Sequence, residues 1–347
     1  MTWDASVLAH NGEQGEDEQA GLIAAFECGE MRQLMTPTKR VSTHLSHVFL
    51  SNTRAFKLKR AVRLSFVDFS ELERRRAACE AELVVNRPMA GSLYQAVLPV
   101  TLGCDRRYSI DGTGEIVDWV VAMQRFDETQ QFDRLAERGA LHPALVERLA
   151  EKIARFHASR SPSGDAGRVG DYRLLLANLG RAEAKLATQS GARRTSLTHT
   201  LHAELSAIGR NIERRREQGC VRLGHGDLHL RNICMLNGAP TPFDALEFDK
   251  RLATTDVLYD LAFLLMDLQR LGLDACADAA LRRYWQAAGS EDGSELLPFF
   301  TATRAAVRMA IAAETGDMAD AAAYHAHGME ILGRSAGALR GGARAIA

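Results

Sequence analysis

The pattern of apolar residues changes once along this chain, and that change limits what it can fold into. Before about residue 126, short runs of strand character surround one long helical stretch; after it, helical spacing dominates. Runs at 46–50 and 54–59 are separated by Ser51-Asn52-Thr53, whose side chains bond back to the backbone in tight turns, so the two predict a hairpin. Residues 69–89, rich in Glu, Arg, Ala and Leu, predict a helix with Ser70 as its cap and Pro88 near its end. Two more strand-like runs follow at 96–102 and 116–123, with Asp111-Gly112-Thr113-Gly114 as the turn before the second. Further on, Leu145, Leu149, Ile153 and Phe156 fall on one helical face. Only 222–248 breaks the helical pattern, where Asn237-Gly238 predicts a hairpin with polar residues at its base. The order predicts an α+β fold of two lobes: a small N-terminal antiparallel sheet with one helix, then a larger, mainly helical C-terminal lobe. A length of 347 residues also exceeds one core of usual size. The expected divisions are a flexible acidic leader at 1–20, an N-terminal lobe at 21–126 and a C-terminal lobe at 127–347.

Charge removes several classes of partner. With 43 basic and 44 acidic residues, the net charge of -1 supplies no global field for nucleic acid or an anionic membrane, so any anion must be held locally. The six cysteines, Cys28, Cys79, Cys104, Cys220, Cys234 and Cys276, contain no CxxC pair and read as unpaired cytoplasmic thiols. Asp4, Glu13, Glu16, Asp17 and Glu18 stand where a secretory signal needs a basic start and an apolar run. The stretch 258–273 is apolar but broken by Asp260, Asp267, Gln269 and Arg270, and falls short of the ~20 residues that span a bilayer, so it predicts a buried helix. A cytoplasmic protein without nucleic-acid or membrane partners is expected; oligomeric state is left open.

The segment that carries chemistry is His225-Gly226-Asp227-Leu228-His229-Leu230-Arg231-Asn232, followed twelve residues on by Asp244. Phosphoryl transfer needs a carboxylate to position the acceptor and oxygen ligands to hold Mg²⁺ against the phosphates. Asp227, Asn232 and Asp244 supply those groups, and Mg²⁺ takes only one or two carboxylates with other hard oxygens. A Gly-x-x-x-x-Gly-Lys phosphate loop is absent, since neither Gly112 to Gly114 nor Gly224 to Gly226 leads into Gly-Lys. Cys220, His225, His229 and Cys234 could in principle ligate zinc, but they lack the usual close cysteine pair and there is no HExxH helix. Arg74-Arg75-Arg76 and Arg214-Arg215-Arg216 sit among glutamates on expected helices and read as solvated faces.

The loop resembles the HGDxxxxN catalytic loop of the aminoglycoside phosphotransferase and choline-kinase-like superfamily, distant relatives of the protein kinases. Phe243-Asp244-Ala245-Leu246-Glu247-Phe248, Asp256, the run 260–264, "LPFFTATRAAVRMAIA" at 297–312, "FKLKR" and "ERRRAACEAELVVNR" extend the resemblance over nearly everything after residue 40. It is most similar to an uncharacterised bacterial branch often fused to a P-loop domain. The resemblance implies a protein-kinase-like fold, ATP and Mg²⁺ as cofactors, and a small-molecule hydroxyl as acceptor. By position, Lys57 would grip the α and β phosphates with Glu82 as its helix partner, Lys59 and Glu80 being the competing choices. Val121 and Met123 would line the nucleotide cleft. Asp227 would act as base, and Asn232 and Asp244 would bind metal; Glu247, or Asp249 in its place, would supply a second metal contact, touch substrate, or stand as an exposed loop carboxylate. His229 would donate to the transferred phosphate or simply pack; Arg231 would offset phosphate charge or brace the loop. Asp260 would hold the loop through backbone N–H bonds, or serve as an ordinary helix N-terminal carboxylate, and Asp256 likewise.

Two alternatives accompany an active small-molecule kinase. One is a nucleotide-binding regulatory module without turnover, disfavoured by the intact set Lys57, Asp227, Asn232 and Asp244. The other is a kinase of a protein or an antibiotic, for which the sequence offers no acidic run to receive a polycationic drug.

Overall fold

The computed structural model describes residues 13–34, 36–64, 67–190 and 195–344. In chain order its elements are α1 (Glu13–Cys28), β1 (Lys39–Ser42), β2 (Ser46–Leu50), β3 (Arg54–Lys59), α2 (Leu72–Ala90), β4 (Tyr94–Leu102), β5 (Tyr108–Ile110), β6 (Glu115–Gln124), α3 (Phe132–Glu137), α4 (Pro143–Ser159), α5 (Val169–Ser190) and α6 (Leu197–Glu217). There follow β7 (Val221–Leu223), β8 (Ile233–Leu236), β9 (Ala239–Pro242), α7 (Lys250–Ala253), β10 (Thr254–Asp256), α8 (Val257–Arg270), α9 (Asp274–Ala288), α10 (Leu297–Glu314) and α11 (Met318–Arg344). They divide into a sheet-bearing unit, ending at Gln131 but regaining residues 234–249, and a helical unit made of 132–233 and everything from Lys250 onward.

The sheet is antiparallel, with strand order β1-β2-β3-β6-β4-β5. Alternation along a strand sends neighbours to opposite faces, and β3 shows both. Phe56 and Leu58 join Phe49, Val100, Val120 and Ala122 on one face, where Leu22, Ile23, Ala25 and Phe26 of α1 cover them. Phe26 stacks on Phe49 with ring centroids 4.2 Å apart. Ala55 lies on the other face with Val121, Met123, Tyr94 and Cys79 of α2, and Lys57 and Lys59 follow it at two-residue spacing. Cys234 and Leu236 of β8 enter this second cluster, which is why the hairpin after the loop returns to the sheet-bearing unit instead of continuing the helical one.

Part of the expected leader is therefore structured. Residues 13–20 form the first turns of α1, and residues 1–12 lie outside the described residues. Gln19 is buried, donating to Lys59 O (2.9 Å) and Asp118 Oδ2 (2.7 Å) and accepting from Ala61 N (2.9 Å). At α2 the expected cap also moves: Glu71 occupies the capping position, and Ser70 Oγ turns to Asp68 Oδ1 at 2.6 Å.

The two arginine triplets are not uniformly solvated. Arg75 is 5% exposed and Arg215 3%. Arg75 Nε donates to Asp118 at 2.9 and 3.1 Å, while Arg215 forks onto Asp256 at 2.7 and 2.9 Å. Consecutive helical residues point 100° apart, so a triplet places one member inward whatever its flanks do. Its two neighbours stay on the surface or near it.

In the helical unit α8 is buried without interruption from Leu258 to Leu268, the mark of a central helix. Among the described residues one helical stretch, Ser294–Glu314, is long and apolar enough to cross a membrane; 78% of its apolar window is buried inside the protein, as befits a core helix.

Candidate active site

The helical unit carries its candidate catalytic groups on the loop between β7 and β8. Gly224 opens it, and a Cβ there would meet the Asp260 carboxylate at 2.6 Å. Gly226 has φ +82°, a left-handed conformation that favours glycine. Asp260 Oδ2 and Oδ1 accept the N–H groups of His225 and Gly226, both at 2.8 Å. Two turns along α8, Asp267 Oδ2 accepts Leu230 N at 3.0 Å. The loop is thus pinned at both ends by carboxylates of one helix face. His157 Nε2 lies 3.0 Å from Asp260 and its Nδ1 2.9 Å from Tyr284 Oη, while Arg304 donates to Gly226 O at 3.2 Å. Burial works to raise the Asp260 pKa, but His157, His225 and Arg304 outweigh it and hold the group ionised well below the usual carboxylate range.

Asp227 stands between these pins. Asn232 Nδ2 donates to its Oδ2 (2.9 Å) and its backbone carbonyl (3.0 Å), and His229 Nε2 lies 3.3 Å from Oδ2. Burial would raise its pKa; His229, His225 and Arg308 reverse this and keep it ionised well below the ordinary value. His229 packs edge-on against Phe263, with centroids 5.3 Å apart and its Nδ1 buried without a partner among the described residues. Arg231 is exposed on the turn 230–232.

The sheet-bearing unit holds the other expected groups in a chain of alternating charge. Lys57 Nζ lies 2.7 Å from Glu82 Oε1 and 2.5 Å from Asp244 Oδ1. Lys59 Nζ lies 2.6 Å from Glu82 Oε2 and also binds Glu247. The competing lysine is therefore a second member of the same cluster. Glu80 is exposed and pairs with Arg76 at 3.0 Å, leaving Glu82 as the buried carboxylate of α2. Burial opposes ionisation of Glu82, but both ammonium groups pull its pKa down to about 2. Burial likewise opposes charge on Lys57, and Asp244 and Glu82 overcome it, raising the lysine well above its ordinary value. Asp244 takes a left-handed φ of +59°, uncommon outside glycine. Tyr94 Oη accepts its N–H at 3.1 Å, and Asn86 Oδ1 accepts that of Ala245 at 2.9 Å. Val121 pairs directly with Lys57 across the β3–β6 ladder, and Met123 with Ala55; both are buried in the cluster beneath α2.

Several members of this arrangement escaped the sequence. Asp267 left a signal, standing seven residues after Asp260 on one face of an apolar helix. Asn86 sits one turn after Glu82. Tyr94, His157 and Arg304 are brought in by tertiary packing and left none.

The chain matches the model of the phosphotransferase enzyme family, APH, over residues 66–296. An uncharacterized protein of Mycobacterium tuberculosis is 31% identical over 273 residues, which cover 77% of this chain and 53% of that protein. The chain thus spans about half the length of the curated relatives it matches. Among solved structures, choline kinase from Cryptosporidium parvum aligns with a TM-score of 0.55 at 9% identity, covering 93% of this chain and 97% of that one. A choline/ethanolamine kinase family protein from Mesorhizobium loti aligns at 0.53 and 14% identity, covering 91% and 95%. These likenesses give the fold its class, the two-lobed α+β architecture of kinase-like enzymes, and with a family match that covers more than half of its length the chain belongs to the APH phosphotransferase enzyme family.

Proposed function

We propose that this chain transfers the γ-phosphate of ATP to a hydroxyl group of a small molecule. The carrying observation is the Lys57 ammonium held between buried Glu82 and the half-exposed Asp244. A fixed cation beside a carboxylate that solvent can reach suits a metal-bound nucleotide better than it suits a purely structural pair, for which exposure of one partner gains little. On the sheet-bearing unit Lys57 is assigned to the α and β phosphates and Asp244 to the metal. On the helical unit Asp227 is the proton acceptor and Asn232 an oxygen donor. Asn232 commits its Nδ2 to Asp227, which leaves its carbonyl oxygen as the side chain's donor atom.

Among the described residues no group of three His, Cys, Asp or Glu could hold a metal ion by itself. That donor set fits Mg²⁺, which keeps waters and substrate phosphates among its ligands and asks the protein for one or two carboxylates. When bound, Mg²⁺ would neutralise charge on the phosphate oxygens. His229 donates toward Asp227 and so orients it, which supports a positioning role more than contact with phosphate. Arg231, exposed on its turn, remains assigned to phosphate charge. Val121 and Met123 supply the apolar floor proposed for the adenine ring.

The test is Mg²⁺-dependent ATP turnover against a panel of hydroxylated metabolites. Asp227→Ala is expected to lower kcat by roughly 10²- to 10⁴-fold while nucleotide still binds. Tight nucleotide binding with no transfer to any acceptor would instead support a regulatory module.

A further inference from the structure

The cluster on the sheet-bearing unit contains one lysine and one glutamate more than phosphate and metal binding require. Its members grade from open to sealed. The Asp244 side chain is 40% exposed and that of Lys57 10%, but Glu247 is 7% and Lys59 1% exposed. A solvated ion can reach the Asp244 end and not the Lys59 end. Burying an ammonium is costly unless carboxylates surround it, and Lys59 has two, Glu82 and Glu247, on separate pieces of chain.

We propose that Lys59 is a positioning residue and that Glu247 is its anchor instead of a metal ligand. Lys59 ties the segment carrying Asp244 to β3 and holds Glu82 from the side opposite Lys57. The segment has two further ties, Tyr94 Oη to Asp244 N and Asn86 Oδ1 to Ala245 N, and Asn86 is itself bonded to Glu82 O at 3.0 Å. Glu247 completes the set three residues on. These ties fix a backbone that Asp244 alone would not adopt readily, at φ +59°. They also give Glu82 a second cation, so that it stays ionised and in place when Lys57 exchanges Asp244 for a phosphate oxygen. This assignment rests on the proposed phosphotransfer for its purpose, but not for its geometry.

Amide hydrogen exchange on the unliganded full chain reads the geometry directly. Lys59→Met and Glu247→Gln are each expected to speed exchange of the Asp244 and Ala245 amides at least tenfold, with the double variant no faster than the quicker single one. Lys59→Arg, which keeps charge and donors, is expected to restore most of the protection and guards against general unfolding of the methionine variant. Unchanged exchange in both single variants overturns the tether. For the assignment of Glu247, Mn²⁺ titration in the presence of ADP is the readout. Equal weakening in Lys59→Met and Glu247→Gln supports an anchor, whereas loss in Glu247→Gln alone makes Glu247 a ligand and overturns it. Absence of phosphotransfer by the unaltered chain would sink the proposed function and leave the exchange result standing.

Discussion

A lysine stays charged inside a protein only when carboxylates return what desolvation removes. Lys57 and Lys59 share one such carboxylate, Glu82, which is fully buried. Its removal therefore takes one of two carboxylate partners from each cation at once. Glu82→Gln is expected to destabilise the fold by less than the roughly 3–5 kcal/mol that an unpartnered buried ion costs, because Asp244 and Glu247 stay beside the lysines; urea unfolding measures it. Acid should do the same by titration. Glu82 is held at about 2 against an ordinary value of 4.5. Because the folded-state value is the lower one, its contribution is full above about 4.5 and is lost as pH falls toward 2. A difference of that size is worth on the order of 3 kcal/mol. Stability against pH should accordingly slope downward across that acidic window, and the slope should flatten in Glu82→Gln. An identical slope in the variant would show that Glu82 carries no such linkage.

At the scale of elements, α8 is a ruler for the loop that bears Asp227. Asp260 and Asp267 stand seven residues apart, two helical turns, and meet N–H groups at 225, 226 and 230. Asp267→Leu leaves the buried Leu230 N–H without its acceptor, an expected cost of about 1–3 kcal/mol. Asp267→Asn, whose amide oxygen can still accept, should cost less. Thermal melting of the two variants separates them, and equal losses would mean the aspartate matters for its charge and not for that bond. The loop motif and Asp244 stood out because phosphoryl transfer demands particular groups at short range in sequence, whereas the brace at Asp260 was implied by the family resemblance alone. Lys57 and Lys59 could be named but not told apart, since both point to one face of β3 and only the fold reveals that Glu82 has an oxygen for each. Arg75 and Arg215 were hidden for the opposite reason: local composition speaks for the helix surface, while a single inward residue answers to Asp118 or Asp256 far away in sequence. Helix α1 was masked by its acidic start.

For the molecule as a whole, α1 decides whether the sheet can exist as a half-buried layer. An antiparallel sheet with strongly apolar side chains on both faces needs a cover on each. Helix α2 and the β8–β9 hairpin lie with one cluster, and the other, containing Phe49, Phe56, Leu58 and Val120, is met by Leu22, Ile23 and Phe26 of α1. Phe26 is fully buried and stacked on Phe49, so Phe26→Ala removes a ring from a packed layer and should cost roughly 3–5 kcal/mol. Trp119 belongs to the sheet-bearing unit and Trp285 to the helical one, so fluorescence can assign the loss. In a Trp3→Phe, Trp285→Phe background, which leaves Trp119 as the single tryptophan, the transition is expected to move to lower urea in Phe26→Ala. A chain lacking residues 13–28 should lose that transition or begin it at the lowest denaturant. Were the shortened chain to unfold at the same urea concentration as the full one, α1 would be an ornament on a sheet stable without it, and the acidic stretch before Gln19 would be the dispensable tail that its composition suggests.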